Sequence, residues 1–356
     1  MPRPDVTFVV MAGGRGERLW PLVRIGRPKV CLSADGRRSL LRETVDRLRP
    51  VWPRATWLIV TTQEQATAIR QALPPALRGS ILVEPEGKNT AACITLAAVA
   101  LARHNPHRVM VVVPADHWVG DVTAFQQTVR TAIRAATSCQ TIATIGIRPS
   151  AAHPGLGYLC AGRPIEGFRR PRVFELARFV EKPSRETAQR LVRRPRTYWN
   201  SGMFIGTADT FLECVTEWLP EHVQQLVPLA NGVGTNAFAA RLTRAYRPLP
   251  AVSFDHGVMD HLRRGVVVEG RFPWADLGSW DTWARVGQAA ARTLAIESRN
   301  VTVVSQGDHL VATIGVRDLL IVQTPSATLV CRLDRAQAVR EVVKRLAANR
   351  QLASFR

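Results

Sequence analysis

The residues best suited to chemistry gather at the end of an early apolar run. Val9-Val10-Met11 leads into Ala12-Gly13-Gly14-Arg15-Gly16-Glu17-Arg18-Leu19. Glycines permit positive φ and close backbone approach, so successive amides can point at phosphate oxygens, while Arg15 and Arg18 add positive charge. No Gly-Lys-Ser/Thr follows, which excludes a Walker A loop, and the third glycine of the dinucleotide fingerprint is missing. A tight turn that binds nothing is the alternative. Downstream, Lys29 follows Pro28 and could fold back onto the same phosphates. Only four of the 48 basic residues are lysines (Lys29, Lys88, Lys182 and Lys344), so a lysine here is informative. Asp116 follows the valine run Val109–Val113. An acid at the carboxyl end of a parallel strand lies where open α/β sheets bind ligands. A helix N-cap is the other reading of Asp116.

Those side chains need a frame. Val6–Met11, Trp57–Thr61, Ser80–Val83, Val109–Val113 and Thr141–Ile147 read as strands. Gln65–Leu73, Ala91–Arg103 and Ala124–Ala136 read as helices between them. The alternation predicts an α/β fold with a doubly wound, mainly parallel, Rossmann-like sheet. The middle is more mixed, with strands at Tyr158–Ala161, Val173–Val180 and Met203–Gly206, and helices at Ser184–Arg193 and Ala208–Trp218. Residues 231–250 read as irregular or helical, and an Ala-rich helix is expected from Trp283 to about Ala291. The tail has short β segments at Asn300–Val304, Leu310–Ile314, Leu319–Thr324 and Thr328–Cys331, then an amphipathic helix over Asp334–Ala348. Two units are expected: a main domain over 1–290 and a β-rich appendage over 298–356, with a sheet extension of the main domain as the alternative.

Composition narrows the function classes. The chain has 356 residues, 46% hydrophobic and 21% charged, which is enough for a large core and excludes collagen, coiled coil and wholesale disorder. No apolar run approaches the roughly 20 residues of a membrane span, and no signal peptide is expected. The formal charge of +20 invites a nucleic-acid reading. The arginines are dispersed, however, without a basic tail or an aromatic-interleaved stripe, so neither nucleic acid nor membrane is an expected partner. Cys31, Cys93, Cys139, Cys160, Cys214 and Cys331 form no CxxC pair, so zinc-site spacing is absent and a reducing cytoplasm is expected.

Ala12-Gly13-Gly14-x-Gly16-x-Arg18-Leu19-Trp20-Pro21-Leu22, followed by Pro28-Lys29, resembles the signature of sugar-1-phosphate nucleotidylyltransferases, in the form of the mannose-1-phosphate guanylyltransferase branch. The resemblance implies a nucleotidyltransferase sheet with a left-handed β-helix-like tail. Glu84-Pro85-Glu86-Gly87-Lys88-Asn89-Thr90 is similar to the branch's base-side loop, which implies nucleotide contacts for Glu84, Pro85, Asn89 and Thr90 beside Ala12, Gly13, Gly14, Gly16 and Arg18. Asp116 lies in a Pro-Ser-Asp-His type motif with Ala115 replacing the serine, and Asp276 lies in a W-x-D-x-G-S-W motif. The family binds Mg²⁺ through these two acids. Gly157 and Tyr158 stand in a sugar loop with Leu156 replacing a tyrosine. Glu181-Lys182 matches FVEKP, Asn200 matches WNSGMF, and Asp255 lies in a segment where His256 and Asp260 depart from the pattern. These imply a sugar and sugar-phosphate site. The family's bifunctional relatives carry a further isomerase domain, and isomerase activity is not expected of this chain.

The implied reaction converts GTP and mannose 1-phosphate to GDP-mannose and pyrophosphate. A phosphate oxygen is already anionic at neutral pH, so positioning and electrostatics are needed rather than a strong base. Arg15, Lys29, Asp116 and Asp276 are the expected catalytic group, with Mg²⁺ as cofactor. A homodimer is an assembly the resemblance allows. Two rivals stay open: the same fold with another hexose phosphate or nucleotide, and a non-catalytic nucleotide-sugar sensor.

Overall fold

In the computed structural model, residues 4–34, 36–233, 235, 237–286 and 292–356 are described. The first eleven strands are β1 (Val6–Met11), β2 (Thr56–Thr62), β3 (Ile81–Glu84), β4 (Val109–Pro114), β5 (His117–Val119), β6 (Ile142–Ile147), β7 (Tyr158–Pro164), β8 (Val173–Val180), β9 (Thr197–Thr207), β10 (Gly265–Gly270) and β11 (Trp274–Asp276). All but β5 and β11 join one sheet in the order β3-β2-β1-β4-β9-β6-β10-β8-β7. The β3-β2-β1-β4 half and the β6-β10 pair are parallel. Strand β9 runs antiparallel between β4 and β6. The chain leaves β1 for β2 on one side and returns to β4 on the other. The carboxyl ends of β1 and β4 therefore bracket a topological switch point, where α/β sheets form ligand crevices.

Side-chain alternation along β1 explains the layers. Phe8 and Val10 face a core with Leu41, Val45, Phe125 and Val129, from the helices Leu40–Leu48 and Val122–Cys139. Val9 faces the opposite core with Leu96, Phe204, Phe211 and Phe254. The helix Asn89–Ala102 is buried along Ala91–Ala100, because the sheet lies on one side and the helix Ala208–Trp218 on the other. The uncertain stretch 231–250 contains a helix at Phe238–Tyr246. The helix beginning near Trp283 is observed at Trp280–Val286; the rest of that expectation, through Ala291, lies outside the described residues.

The tail adds β12 (Arg292–Ile296), β13 (Arg299–Ser305), β14 (Leu310–Ile314), β15 (Arg317–Gln323) and β16 (Thr328–Arg332). β12 pairs parallel with β14, and β13 with β15. Partners are 18 residues apart, as in the side-chain bonds Asn300–Asp318 and Ser305–Gln323, both 2.7 Å. Left-handed backbone recurs at matching corners, Glu297 with Gly315 and Asn300 with Asp318. This is one coil of a solenoid, in which each rung repeats the last. β16 turns back antiparallel on β15. The expected tail helix begins as a 3-10 turn over Leu333–Ala338 and is α-helical from Val339 to Ala348.

The tail shares a core with the signature segment. Leu19, Trp20, Leu22 and Val23 pack with Leu277, Trp280 and Trp283, and with Leu320, Val322, Val339 and Val343 of the tail. Trp20 Nε1 donates to Phe355 O at 2.7 Å, and Trp280 Nε1 donates to Trp20 O at 3.3 Å.

Candidate active site

The glycine-rich loop leaves β1 at the switch point and is tied down from below. Ala12 N donates to Val60 O at 2.8 Å, and Thr61 Oγ1 donates to Ala12 O at 3.0 Å. Gln65 Nε2 donates to Gly14 O at 3.3 Å. Gly16 has φ +64°, and a Cβ there would come within 2.7 Å of Lys29 Cβ. Only glycine fits both the conformation and the contact. Gly16→Ala should push Lys29 aside and lower turnover by about tenfold or more. Steady-state kinetics with a parallel melting curve tests this; unchanged kcat would show that Lys29 needs no such placement.

Lys29 lies in the 3-10 turn Lys29–Cys31 behind Pro28, and only 4% of it is exposed. Its Nζ is 2.7 Å from Asp116 Oδ2 and 3.4 Å from Asp276 Oδ1. The two acids come from opposite halves of the chain and meet through one strand pair. Asp116 follows β4, while β11 pairs antiparallel with β5, which sets Asp276 opposite His117. Ala115 N donates to Met11 O, and Thr44 Oγ1 donates to Ala115 O, so the turn carrying Asp116 is held from both sides. Burial opposes charge on Lys29, but Asp116 and Asp276 outweigh it and raise its pKa. Burial likewise opposes the Asp276 carboxylate, yet Lys29, with His117 and Arg18, holds its pKa below the ordinary value. Burial lowers the pKa of His117, leaving its imidazole neutral at pH 7, with Nδ1 accepting from Trp274 Nε1 at 3.3 Å.

Beside the glycine loop, Gly13, Arg15, Thr62, Pro85, Glu86 and Asn89 line a cavity of about 500 Å³. Asn89 has φ +67°, and its Oδ1 accepts from Thr90 N. Thr90 Oγ1 accepts from Phe254 N at 2.8 Å and so braces the loop. Glu84 lies beneath the glycine loop, outside that cavity's wall, with Tyr246 OH donating to its Oε1 at 3.1 Å. Burial pushes the Glu84 carboxyl up to about 7, against the Tyr246 hydrogen bond. Unfolding between about pH 4.5 and 7 then releases this proton. The resulting stability is full below pH 4.5 and is lost as pH rises through 7, by at most about 3 kcal/mol. Glu84→Gln should flatten that slope in urea melts taken across this range. An unchanged slope would assign it to other groups.

Gly157, Glu181, Lys182, Asn200 and Asp255, expected at the sugar, form one connected cluster. A Cβ on Gly157 would meet Glu181 Oε2 at 2.5 Å, and Asn200 N donates to Gly157 O. Lys182 Nζ donates to Glu181 Oε1 at 2.6 Å. Asn200 Nδ2 donates to Asp255 Oδ1 at 2.6 Å, while its Oδ1 accepts from Gly202 N and Thr144 Oγ1. Burial, with the nearby Glu181 charge, pushes Asp255 up to about 6. The Tyr158 hydroxyl is engaged with the backbone N–H and carbonyl of His153 and closes its own loop. A second cavity, of about 530 Å³, joins this loop to the acids; Arg18, His153, Trp199, Trp274, Asp276 and Gln337 line it.

The expected residues thus fall into four groups: the glycine loop, the Pro85–Asn89 wall beside it, the paired acids on Lys29, and the Glu181–Asn200–Asp255 cluster. Sequence reasoning missed Thr62, Glu86 and Ala251 beside the glycine loop. It also missed Tyr246 beneath Glu84 and Gln337 of the tail. Glu86 stands inside the recognised Glu84–Thr90 segment, while Thr62, Tyr246 and Gln337 lie on strand, helix and 3-10 turn and are brought in by packing alone.

Comparison with known proteins identifies the family. Residues 7–293 match the family model Nucleotidyl transferase, and residues 291–346 match the MannoseP isomerase/GMP-like beta-helix domain. The chain is 35% identical over 354 residues to a mannose-1-phosphate guanylyltransferase of Escherichia coli (strain K12), covering 96% of this chain and 73% of that protein. It is 34% identical over 351 residues to the xanthan biosynthesis protein XanB of Xanthomonas campestris pv. campestris (strain B100), with the same coverage. A crystal structure from Thermus thermophilus, described as a mannose-1-phosphate geranyltransferase, superposes with a TM-score of 0.83 at 34% identity, covering 96% of this chain and 99% of that one.

Proposed function

Because the chain belongs to the mannose-1-phosphate guanylyltransferase family of nucleotidyl transferases, we propose that it makes GDP-mannose and pyrophosphate from GTP and mannose 1-phosphate. The observation that carries this reading is the convergence of Lys29, Asp116 and Asp276 between the glycine-loop cavity and the sugar-side cluster. Arg15, Arg18 and the loop amides hold the triphosphate. Glu181, Asn200 and Asp255 accept or donate to sugar hydroxyls, and Lys182 holds the incoming sugar phosphate. That phosphate oxygen attacks the α-phosphorus of GTP, and the bond to the pyrophosphate leaving group breaks. Lys29, itself almost fully buried, offsets charge on the transferring phosphate.

A divalent cation suits this chemistry, and the residues present fit one. Two carboxylates that share a single buried ammonium converge closely enough to share a metal ion. Among the described residues no group of three or more His, Cys, Asp or Glu side chains could hold a metal. Mg²⁺, which commonly uses one or two carboxylates with phosphate oxygens and water, is the ion we assign to Asp116 and Asp276. When bound, it would neutralise phosphate charge and align the reacting groups.

We further assign residues 1–290 to the catalytic unit and 298–356 to the solenoid tail, which braces the signature segment through Trp20. The cytoplasm, where GTP is made, is the compartment this reading implies. Incubation with GTP, Mg²⁺ and a panel of hexose 1-phosphates, assayed for pyrophosphate and sugar nucleotide, tests the assignment. Product from mannose 1-phosphate is expected; product only from another sugar or nucleotide would overturn the substrate choice.

A further inference from the structure

The pair of acids assigned to the metal is already charge-compensated from within the chain. Lys29 Nζ contacts both carboxylates, and the side chain is almost fully buried. Arg18 acts on Asp276 from one side, and the buried Arg47, stacked over Phe125, acts on Asp116 from another. Glu43 is the further acid facing Arg47. Two negative charges therefore face a contacting ammonium and two guanidinium groups. A divalent cation placed beside the ammonium would meet repulsion across a short distance in a poorly screened site.

The lysine stem shows where the ammonium can go. Its Cβ and Cγ lie against Gly16, in the loop assigned to the triphosphate. Rotation about the outer side-chain bonds would carry Nζ off the carboxylates while the stem stays beside that loop. The loop's new anion would replace the counter-charge that Nζ gives up.

We propose that Lys29 is the resident counter-ion of Asp116 and Asp276, that a divalent cation enters only by displacing its ammonium, and that the displaced ammonium turns to the triphosphate. This rests on the metal assignment made above. It assigns Lys29 a role before the chemical step: it keeps the two carboxylates together in the free enzyme and suppresses metal binding until nucleotide arrives.

The test is Mn²⁺ binding to the full chain without nucleotide, followed by the electron paramagnetic resonance signal of free ion and by calorimetry. Lys29→Met keeps the stem and removes the charge. It should bind Mn²⁺ about tenfold or more tightly than the parent chain. Adding Asp276→Asn to Lys29→Met should abolish the gain. Lys29→Gln serves the same comparison if the methionine variant does not fold. Binding that depends on Asp276 but is no tighter in the Lys29 variants overturns the displacement while leaving the metal site standing. Binding indifferent to Asp276 overturns the metal assignment and the displacement with it. Sugar-nucleotide formation by the unaltered chain reads the proposed reaction separately.

Discussion

Lys29→Ala should lower kcat by about 10²-fold or more, with a much smaller change in the Michaelis constant for GTP. The ammonium is buried, and it stands between the acids and the loop assigned to the phosphates. Its charge is therefore poorly screened, and its value is greatest where negative charge builds on the transferring phosphate. Arginine should rescue poorly. The Lys29 ammonium is buried and held at 2.7 and 3.4 Å by Asp116 and Asp276, so a longer, planar guanidinium cannot keep both contacts without shifting the acids. Single-turnover rates and Michaelis constants for both substrates would check this. A loss confined to the Michaelis constant would show binding that is equal in ground and transition states, and would remove Lys29 from the chemical step.

Asp276→Asn should reduce turnover below detection while leaving the fold intact. The amide keeps the volume of the carboxylate but loses the charge that a hard divalent ion prefers. Structural damage should be slight, since β11 is held to β5 by backbone pairing and Lys29 keeps Asp116 as its nearer partner at 2.7 Å. The Asp276 side chain is also 42% exposed, so the polar amide remains in contact with water. Circular dichroism and a thermal melt should match the parent chain. Full turnover in this variant would sink the metal assignment, whereas a collapsed melt would show that the acid serves folding.

Which parts of this architecture are legible in the sequence follows from the range of the interactions. The β1 strand and its glycine loop carry local signals: an apolar run, then residues that only a tight turn tolerates. Strand β9 spans Thr197–Thr207, yet the apolar pattern predicts strand only over Met203–Gly206. Asn200 and Ser201 interrupt that pattern because each is satisfied by a polar partner, Asn200 by Asp255 and the buried Ser201 by Ile145 O. Strand β10 escapes sequence reasoning although its valines resemble those of β4, because no helix pattern precedes it and its partner β6 is distant in sequence. The 3.4 Å contact between Lys29 and Asp276 spans 247 residues, so only motif resemblance places them in one catalytic group, and it does not supply the direct ion pair between them. The tail's strands are visible one by one. Their 18-residue register is not, since it is fixed by the left-handed corners at Glu297, Asn300, Gly315 and Asp318.

The core shared by Trp20, Trp280 and Leu320 also bears on protein engineering. A chimaera that grafts a relative's solenoid onto this catalytic sheet would cut through that core and through the Trp20–Phe355 bond. The mismatch would surface at the glycine-rich segment around Trp20 rather than at the graft point, so the two halves have to be exchanged together with the tryptophans that join them.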